Sequence, residues 1–185
     1  MSSLGETVNE TSMSSDQMKS LAIEKIKQIL GEKGFTDNRE EMTPFLTEWR
    51  GFYSGDALLI VFPENVQTVS SILKICAEAY ISIVPQGGNT SMCGGAVPSS
   101  EGNSIVLSMA KMNNILSIDT TNYTMTVEAG CILQNIQEAA KAENRYFPLS
   151  LAAEGSCMIG GNLATNAGGT NVLRYGNARE LVLGL

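Results

Sequence analysis

The sequence predicts an α+β fold, on three observations. An apolar run, a helix-spaced segment and a second apolar run follow one another between Ala57 and Pro85. Short β-branched runs separated by turn residues fill 104–130, and from 148 onward the chain is rich in Gly, Asn, Ala, Ser and Thr. Strand-helix-strand order implies a right-handed crossover between parallel strands, whereas closely spaced strands imply antiparallel pairing. At 185 residues, 43% hydrophobic and 17% charged, the chain can bury a core of ordinary size.

Residues 1–15, MSSLGETVNETSMSS, are polar, without Lys or Arg, and read as a disordered arm. Residues 16–52 supply an N-terminal helix and a crossing segment. Met18, Leu21, Ala22, Ile26, Ile29 and Leu30 recur at helical spacing behind Ser15-Asp16, and Gly31 or Gly34 closes the helix. TPFLTEWRGFYSGD (43–56) mixes turn formers with aromatics, so it reads as irregular, with Trp49 in the core. ALLIVFP (57–63) is a buried strand. Asn65 caps a helix with Val66, Val69, Leu73, Cys76, Ala77 and Tyr80 on one face, and ISIVP (81–85) is the next strand. SIVLSM (104–109), NILSI (114–118) and YTMTVEAG (123–130) form an antiparallel set. Leu133, Ile136 and Ala140 mark a helix ending near Asn144, and ELVLGL (180–185) reads as the opening of a strand.

Composition excludes several functions. A net charge of −7 argues against nucleic acid or an anionic membrane as the main partner, because both demand clustered Lys/Arg. There is no histidine, so His-based triads and the commonest transition-metal ligand are absent, and no metal site is expected. Cys76, Cys93, Cys131 and Cys157 are scattered and read as buried or free thiols. Glu128, Glu138 and Glu154 show no spacing that pairs them as acid and base. No uncharged apolar run reaches membrane-spanning length, and a cytoplasmic protein is expected.

Two glycine-rich segments carry the functional signal. PQGGNTSMCGGAVPS (85–99) follows a strand, and EGSCMIGGNLATNAGG lies at 154–169. Glycine lets successive backbone N–H groups converge on an anion without Cβ atoms in the way. Asn, Thr and Ser add neutral donors, so an acidic protein could hold a diphosphate with little help from charge. Two such segments suggest an extended ligand with a phosphate portion and a polar ring. Neither matches G-x-G-x-x-G opening a helix, nor the P-loop.

PQGGNT, GGAVP, the stretch ending EAGC, and EGSCMIGGNLATNAGG followed by RYG resemble the FAD-linked oxidoreductases of the vanillyl-alcohol-oxidase superfamily. Within it, the D-lactate, glycolate and D-2-hydroxyglutarate dehydrogenase branch is most similar, from residue 47 to the last. The resemblance implies a PCMH-type FAD-binding domain of two small α/β subdomains, occupying 53–185 and incomplete, with the substrate-binding cap absent. It implies non-covalent FAD, with Pro85, Gln86, Gly87, Gly88, Asn89, Thr90, Ser91, Gly94 and Gly95 around the pyrophosphate. Gly155, Ser156, Ile159, Gly160, Gly161 and Asn162 would follow the ribityl chain and ring. Thr165, Asn166, Ala167 and Gly168 would continue to the polar edge, ahead of Arg174, Tyr175 and Gly176. Ser91 stands where relatives often carry Gly. Cys157 reads as a small buried residue rather than a thioether anchor.

The implied reaction is oxidation of a small-molecule D-2-hydroxy acid to the 2-oxo acid by hydride transfer to flavin, with an unnamed electron acceptor. The family's substrate-binding groups lie in the cap, so no catalytic residue is named, and the chain alone is expected to be inactive. The alternatives are another branch, a molybdenum hydroxylase flavin subunit or an enolpyruvyl-sugar reductase, or an inactive truncated chain.

Overall fold

The computed structural model describes residues 13–185. Of the arm expected over 1–15, residues 1–12 lie outside the described residues, while Ser14 already caps the first helix. That helix, α1 (Ser15–Leu30), begins with a reciprocal box: Gln17 N–H donates to Ser14 Oγ at 3.3 Å and Ser14 N–H to Gln17 Oε1 at 2.9 Å. Gly31, at φ +66°, ends it.

After β1 (Phe35–Thr36) comes α2 (Arg39–Leu46), a helix within the segment expected to be irregular. Asn38 caps it through the Glu40 N–H at 2.9 Å, and it buries Met42 and Leu46. Pro44 disguised this helix, yet a short helix tolerates one missing N–H when its buried face is packed. Trp49, expected in the core, is 60% exposed.

The main sheet runs β1-β2-β4-β3, with β2 (Leu59–Val61), β3 (Ser82–Gln86) and β4 (Ser104–Ser108). The two strands of the crossover unit are parallel but not neighbours, because β4 inserts between them and is parallel to both. SIVLSM therefore does not belong to the antiparallel set. All five β4 residues are buried, as a central parallel strand covered on both faces requires.

Side-chain alternation divides the apolar residues between the faces. Leu59, Val61, Ile105 and Leu107 meet Ala22 and Ile26 of α1 and Ile72 and Cys76 of α3 (Val66–Glu78). Ile60 and Val106 meet Met42 and Leu46 on the other side. Asn65 caps α3 by accepting the Thr68 N–H at 2.9 Å. Tyr80, placed by spacing on the α3 apolar face, is instead exposed beyond the helix end at φ +53°.

A second, separate core follows. The hairpin β5 (Ile115–Asp119) and β6 (Thr124–Val127) is antiparallel, as expected, and α4 (Leu133–Ala142) buries Leu133, Ile136 and Ala140. Short helices α5 (Ile159–Ala164) and α6 (Val172–Tyr175) precede a 3-10 turn, Ala178–Leu181. That turn stands where ELVLGL was expected to open a strand. Asn177 accepts from its third residue while Glu180 reaches back to the Asn177 N–H, which favours a helical start over extension. Cys131, Leu133, Ile136, Leu149, Cys157, Ile159 and Ala178 form this core, so the chain holds two small α/β units.

Candidate functional site: two glycine segments in contact

The first glycine segment leaves the C-terminal end of β3, where open parallel sheets characteristically bind ligands. Pro85 and Gln86 still belong to the strand. Gln86 is buried, and its Nε2 donates to Phe45 O at 2.9 Å and Ala96 O at 2.7 Å, closing the base of the loop. Asn89 takes φ +51°, and its Nδ2 donates to Thr47 O at 2.8 Å and Pro44 O at 3.3 Å. Both side chains are thus spent on shaping the loop. Among the described residues, the N–H groups of Gly88, Asn89, Thr90, Ser91 and Met92 find no acceptor.

The second segment lies directly against the first, although some seventy residues separate them in sequence. A Cβ on Gly88 would fall 1.9 Å from Ser156 O, and one on Gly87 would fall 3.2 Å from Met158 Cβ. The N-terminus of α5 rests on the EAGC turn, with the Gly160 N–H donating to Ala129 O at 2.8 Å. A Cβ on Gly161 would meet nothing within 4 Å, so open space adjoins Gly87 at this point.

The remaining site candidates divide. Gly94 lies on the Tyr53 ring, Gly95 faces open space and Gly155 adjoins Gln134. Ser156 Oγ donates to Ala153 O at 3.4 Å. Ile159 is core. Thr165 donates its hydroxyl to Gly161 O at 2.9 Å, and Asn166, at φ +50°, accepts the Arg179 N–H at 3.1 Å. Ala167 O accepts the Ala178 N–H at 2.8 Å, and Gly168 lies near Asn177. This continuation is therefore tied to the C-terminal turn. Tyr175 is exposed, edge-on to Tyr146 at 6.1 Å and beneath Arg174, and Gly176 turns the chain at φ +78°.

Cys157 is 2% exposed. Burial pushes its thiol up, against a smaller downward pull from the Asn162 side chain. Asn162 is itself buried, and its Oδ1 has no partner among the described residues. Such an atom costs free energy unless something polar reaches it. Glu128 and Glu154 are hydrogen-bonded rather than paired as acid and base. Glu128 accepts from Asn114 N–H and Nδ2, and Glu154 from Ser150 and Gln137. The sequence left Trp49 and Arg50 as a structural pair and gave Glu48 no part, yet Arg50 Nη2 donates to Met92 O in the first loop and Glu48 holds Arg50. Their only local signal is opposite charges flanking a tryptophan.

Free backbone donors, an open edge at Gly161 and a buried unpaired amide oxygen together fit a ligand with an anionic part and a hydrogen-bonding ring, as FAD has. A family model described as an FAD binding domain matches residues 57–185. The chain belongs to the FAD binding domain family. The chain is 42% identical to the mitochondrial D-2-hydroxyglutarate dehydrogenase of Arabidopsis thaliana over 159 residues, 86% of this chain and 28% of the relative. The Bos taurus protein of the same name is 42% identical over 160 residues, covering 86% and 29%. A D-2-hydroxyglutarate–pyruvate transhydrogenase of Saccharomyces cerevisiae is 38% identical over 146 residues, covering 79% and 29%. The chain thus spans under a third of the length of these curated relatives.

Solved structures show the same fold. Alkyldihydroxyacetonephosphate synthase superposes with a TM-score of 0.80 at 18% identity, covering 89% of this chain and 35% of that one. p-Cresol methylhydroxylase superposes with a TM-score of 0.71 at 23% identity, covering 84% and 31%. The fold of the chain is therefore of the PCMH type, the fold that the motifs implied. No helix among its described residues is long and apolar enough to cross a membrane.

Proposed function

We propose that this chain is the FAD-binding portion of a dehydrogenase that oxidises a D-2-hydroxy acid, of the D-2-hydroxyglutarate or D-lactate class, to the 2-oxo acid. The observation that carries the reading is the contact of the two glycine segments beside a row of unengaged N–H groups. The names of the relatives supply the substrate class.

In this reading Gly87, Gly88, Asn89, Thr90 and Ser91, with Gly94 and Gly95, hold the diphosphate by backbone donors, while Pro85 and Gln86 anchor the loop. Gly155, Ser156, Gly160, Gly161 and Asn162 line the ring side, with Ile159 packed beneath them. Thr165, Asn166, Ala167, Gly168, Tyr175 and Gly176 form its outer end. Bound FAD supplies the hydride acceptor. Neutral N–H groups near the ring stabilise added negative charge and so favour reduction. Attachment is non-covalent, which the burial of Cys157 and the absence of histidine support. The working division is 16–52 as a support segment and 53–185 as the cofactor domain. The cation that grips the substrate carboxylate, the base and the electron acceptor are assigned to no residue of this chain.

The test is FAD titration of the purified chain, followed by flavin fluorescence and an acid-precipitation step. A yellow complex that releases all its flavin to the acid supernatant is expected. A colourless chain that takes up no FAD defeats the proposal. The reading keeps the cytoplasmic expectation, although relatives from Arabidopsis thaliana and Bos taurus are named as mitochondrial. Fractionation of the native cells decides the compartment.

A further inference from the structure

The cofactor loop leans on residues 44–53, upstream of the span that the family match covers. It is held there at four points. Gln86 reaches Phe45 O, Asn89 reaches Pro44 O and Thr47 O, Arg50 Nη2 donates to Met92 O, and Gly94 lies on the Tyr53 ring. A Cβ on Gly94 would fall 2.8 Å from that ring.

The support is itself organised around one buried carboxylate. The Glu48 side chain has no exposed surface, whereas Arg50 keeps 26% of its own. Glu48 Oε2 accepts the N–H of Arg50 at 3.0 Å and of Phe52 at 3.3 Å, and Oε1 accepts Arg50 Nε. The Glu48 N–H donates to Tyr53 O at 2.9 Å, closing the turn. The Trp49 and Phe52 rings lie 5.9 and 5.0 Å from the guanidinium, restricting it further.

We propose that Glu48 and Arg50 are positioning residues for the dinucleotide loop: the buried carboxylate aims the guanidinium, and the guanidinium fixes the Met92–Cys93 peptide. This rests on the FAD reading above. The peptide is pinned at both ends, its carbonyl by Arg50 and its N–H by Ser91 Oγ at 3.2 Å. A peptide plane held on both sides cannot flip, so the neighbouring N–H groups keep one direction before any ligand arrives. Ser91, in a position where glycine would leave the loop freer, thereby gains a role. Arginine suits this task because its planar fork serves the Glu48 carboxylate and the Met92 carbonyl at once, which an ammonium does with less geometric control.

The test uses the whole chain and compares the native sequence with Arg50→Lys, Glu48→Gln and the double variant Glu48→Gln/Arg50→Met. The double variant avoids leaving either charge buried alone. Two readouts are taken: FAD dissociation constants, and amide hydrogen exchange of residues 91–95 without FAD. If releasing the peptide leaves a tenth of the loops competent, FAD binds about tenfold more weakly, since affinity scales with the competent fraction. Arg50→Lys is expected to show that loss, with faster exchange confined to 91–95 and unchanged exchange in α1 and α4. The double variant, melting like the native chain, is expected to show it too. Native FAD affinity in Arg50→Lys and the double variant overturns the proposal, as does unchanged loop exchange. If the native chain takes up no FAD, the function reading fails and the exchange arm alone judges the brace.

Discussion

Replacing Gly88 by alanine tests whether the two glycine segments are built against each other. The new Cβ would fall 1.9 Å from Ser156 O, 2.9 Å from its carbonyl carbon and 3.1 Å from Cys157 Cα. All are backbone atoms, so no side chain can rotate away. Relieving the contact moves one segment by at least about 1 Å, and forced overpacking of this kind costs about 1–3 kcal/mol. Because the same displacement separates the two halves of the proposed FAD site, affinity is expected to fall by tenfold or more. The assay pairs urea denaturation with FAD titration and includes Gly161→Ala as the contrast. There the added methyl meets no atom within 4 Å and lies inside α5, so stability is expected to hold, or to rise by about 0.5–1 kcal/mol. FAD affinity should nonetheless drop, because the methyl enters space that the ring side requires. A Gly88→Ala chain with native stability and native FAD affinity refutes the contact. A Gly161→Ala chain that binds FAD as well as the native one refutes the assignment of that space.

Further outcomes are expected elsewhere in the molecule. Ile72→Ala removes a fully buried side chain between α3 and the sheet, and should cost about 2–5 kcal/mol in urea denaturation. Asn65→Ala removes the α3 cap and should cost about 1 kcal/mol in the same assay. For Glu48, burial pushes the carboxyl up, but hydrogen bonds from the Arg50 side chain and the Phe52 and Arg50 N–H groups outweigh it, so its pKa lies below the usual carboxylate value. A depressed folded-state pKa gives stability that is complete above the unfolded value, near 4.3, and is lost as pH falls through the folded one. Urea midpoints measured from pH 6 to pH 3 should therefore fall less steeply for Glu48→Gln than for the native chain. Native-state thiol labelling should modify Cys93 alone, because Cys76, Cys131 and Cys157 are buried and burial pushes the Cys76 thiol up to about 11. Rapid labelling of a second thiol contradicts that packing.

What the sequence disclosed depended on how local the cause was. Asn65 as a cap, the α4 stripe and the β5–β6 hairpin each rest on contacts within one or two turns of chain, and all were legible. The position of β4 was not, because pairing with both β2 and β3 depends on the burial of a whole strand, which adjacent turn residues do not encode. The first glycine segment does leave a row of N–H groups unengaged, as its spacing suggested, whereas most N–H groups of the second are spent on the protein's own carbonyls, Gly160 on Ala129 O and Asn162 on Met158 O among them. That Asn89 and Gln86 would direct their side-chain amides toward residues 44–47 was not legible. The same long-range contact explains how an acidic chain can suit an anionic ligand. Neither glycine segment contains Lys or Arg, and the cation nearest the first loop, Arg50, comes from more than thirty residues upstream, ion-paired to a buried carboxylate. A neutral pair of this kind adds little attraction for a free anion in bulk water, yet it fixes a peptide whose neighbouring N–H groups are unengaged and, in the proposed function, face that anion. Affinity on this account comes from the direction of N–H groups rather than from net charge, and it should respond weakly to added salt. A steep loss of FAD binding between 50 and 200 mM salt would instead point to unpaired cations at the site.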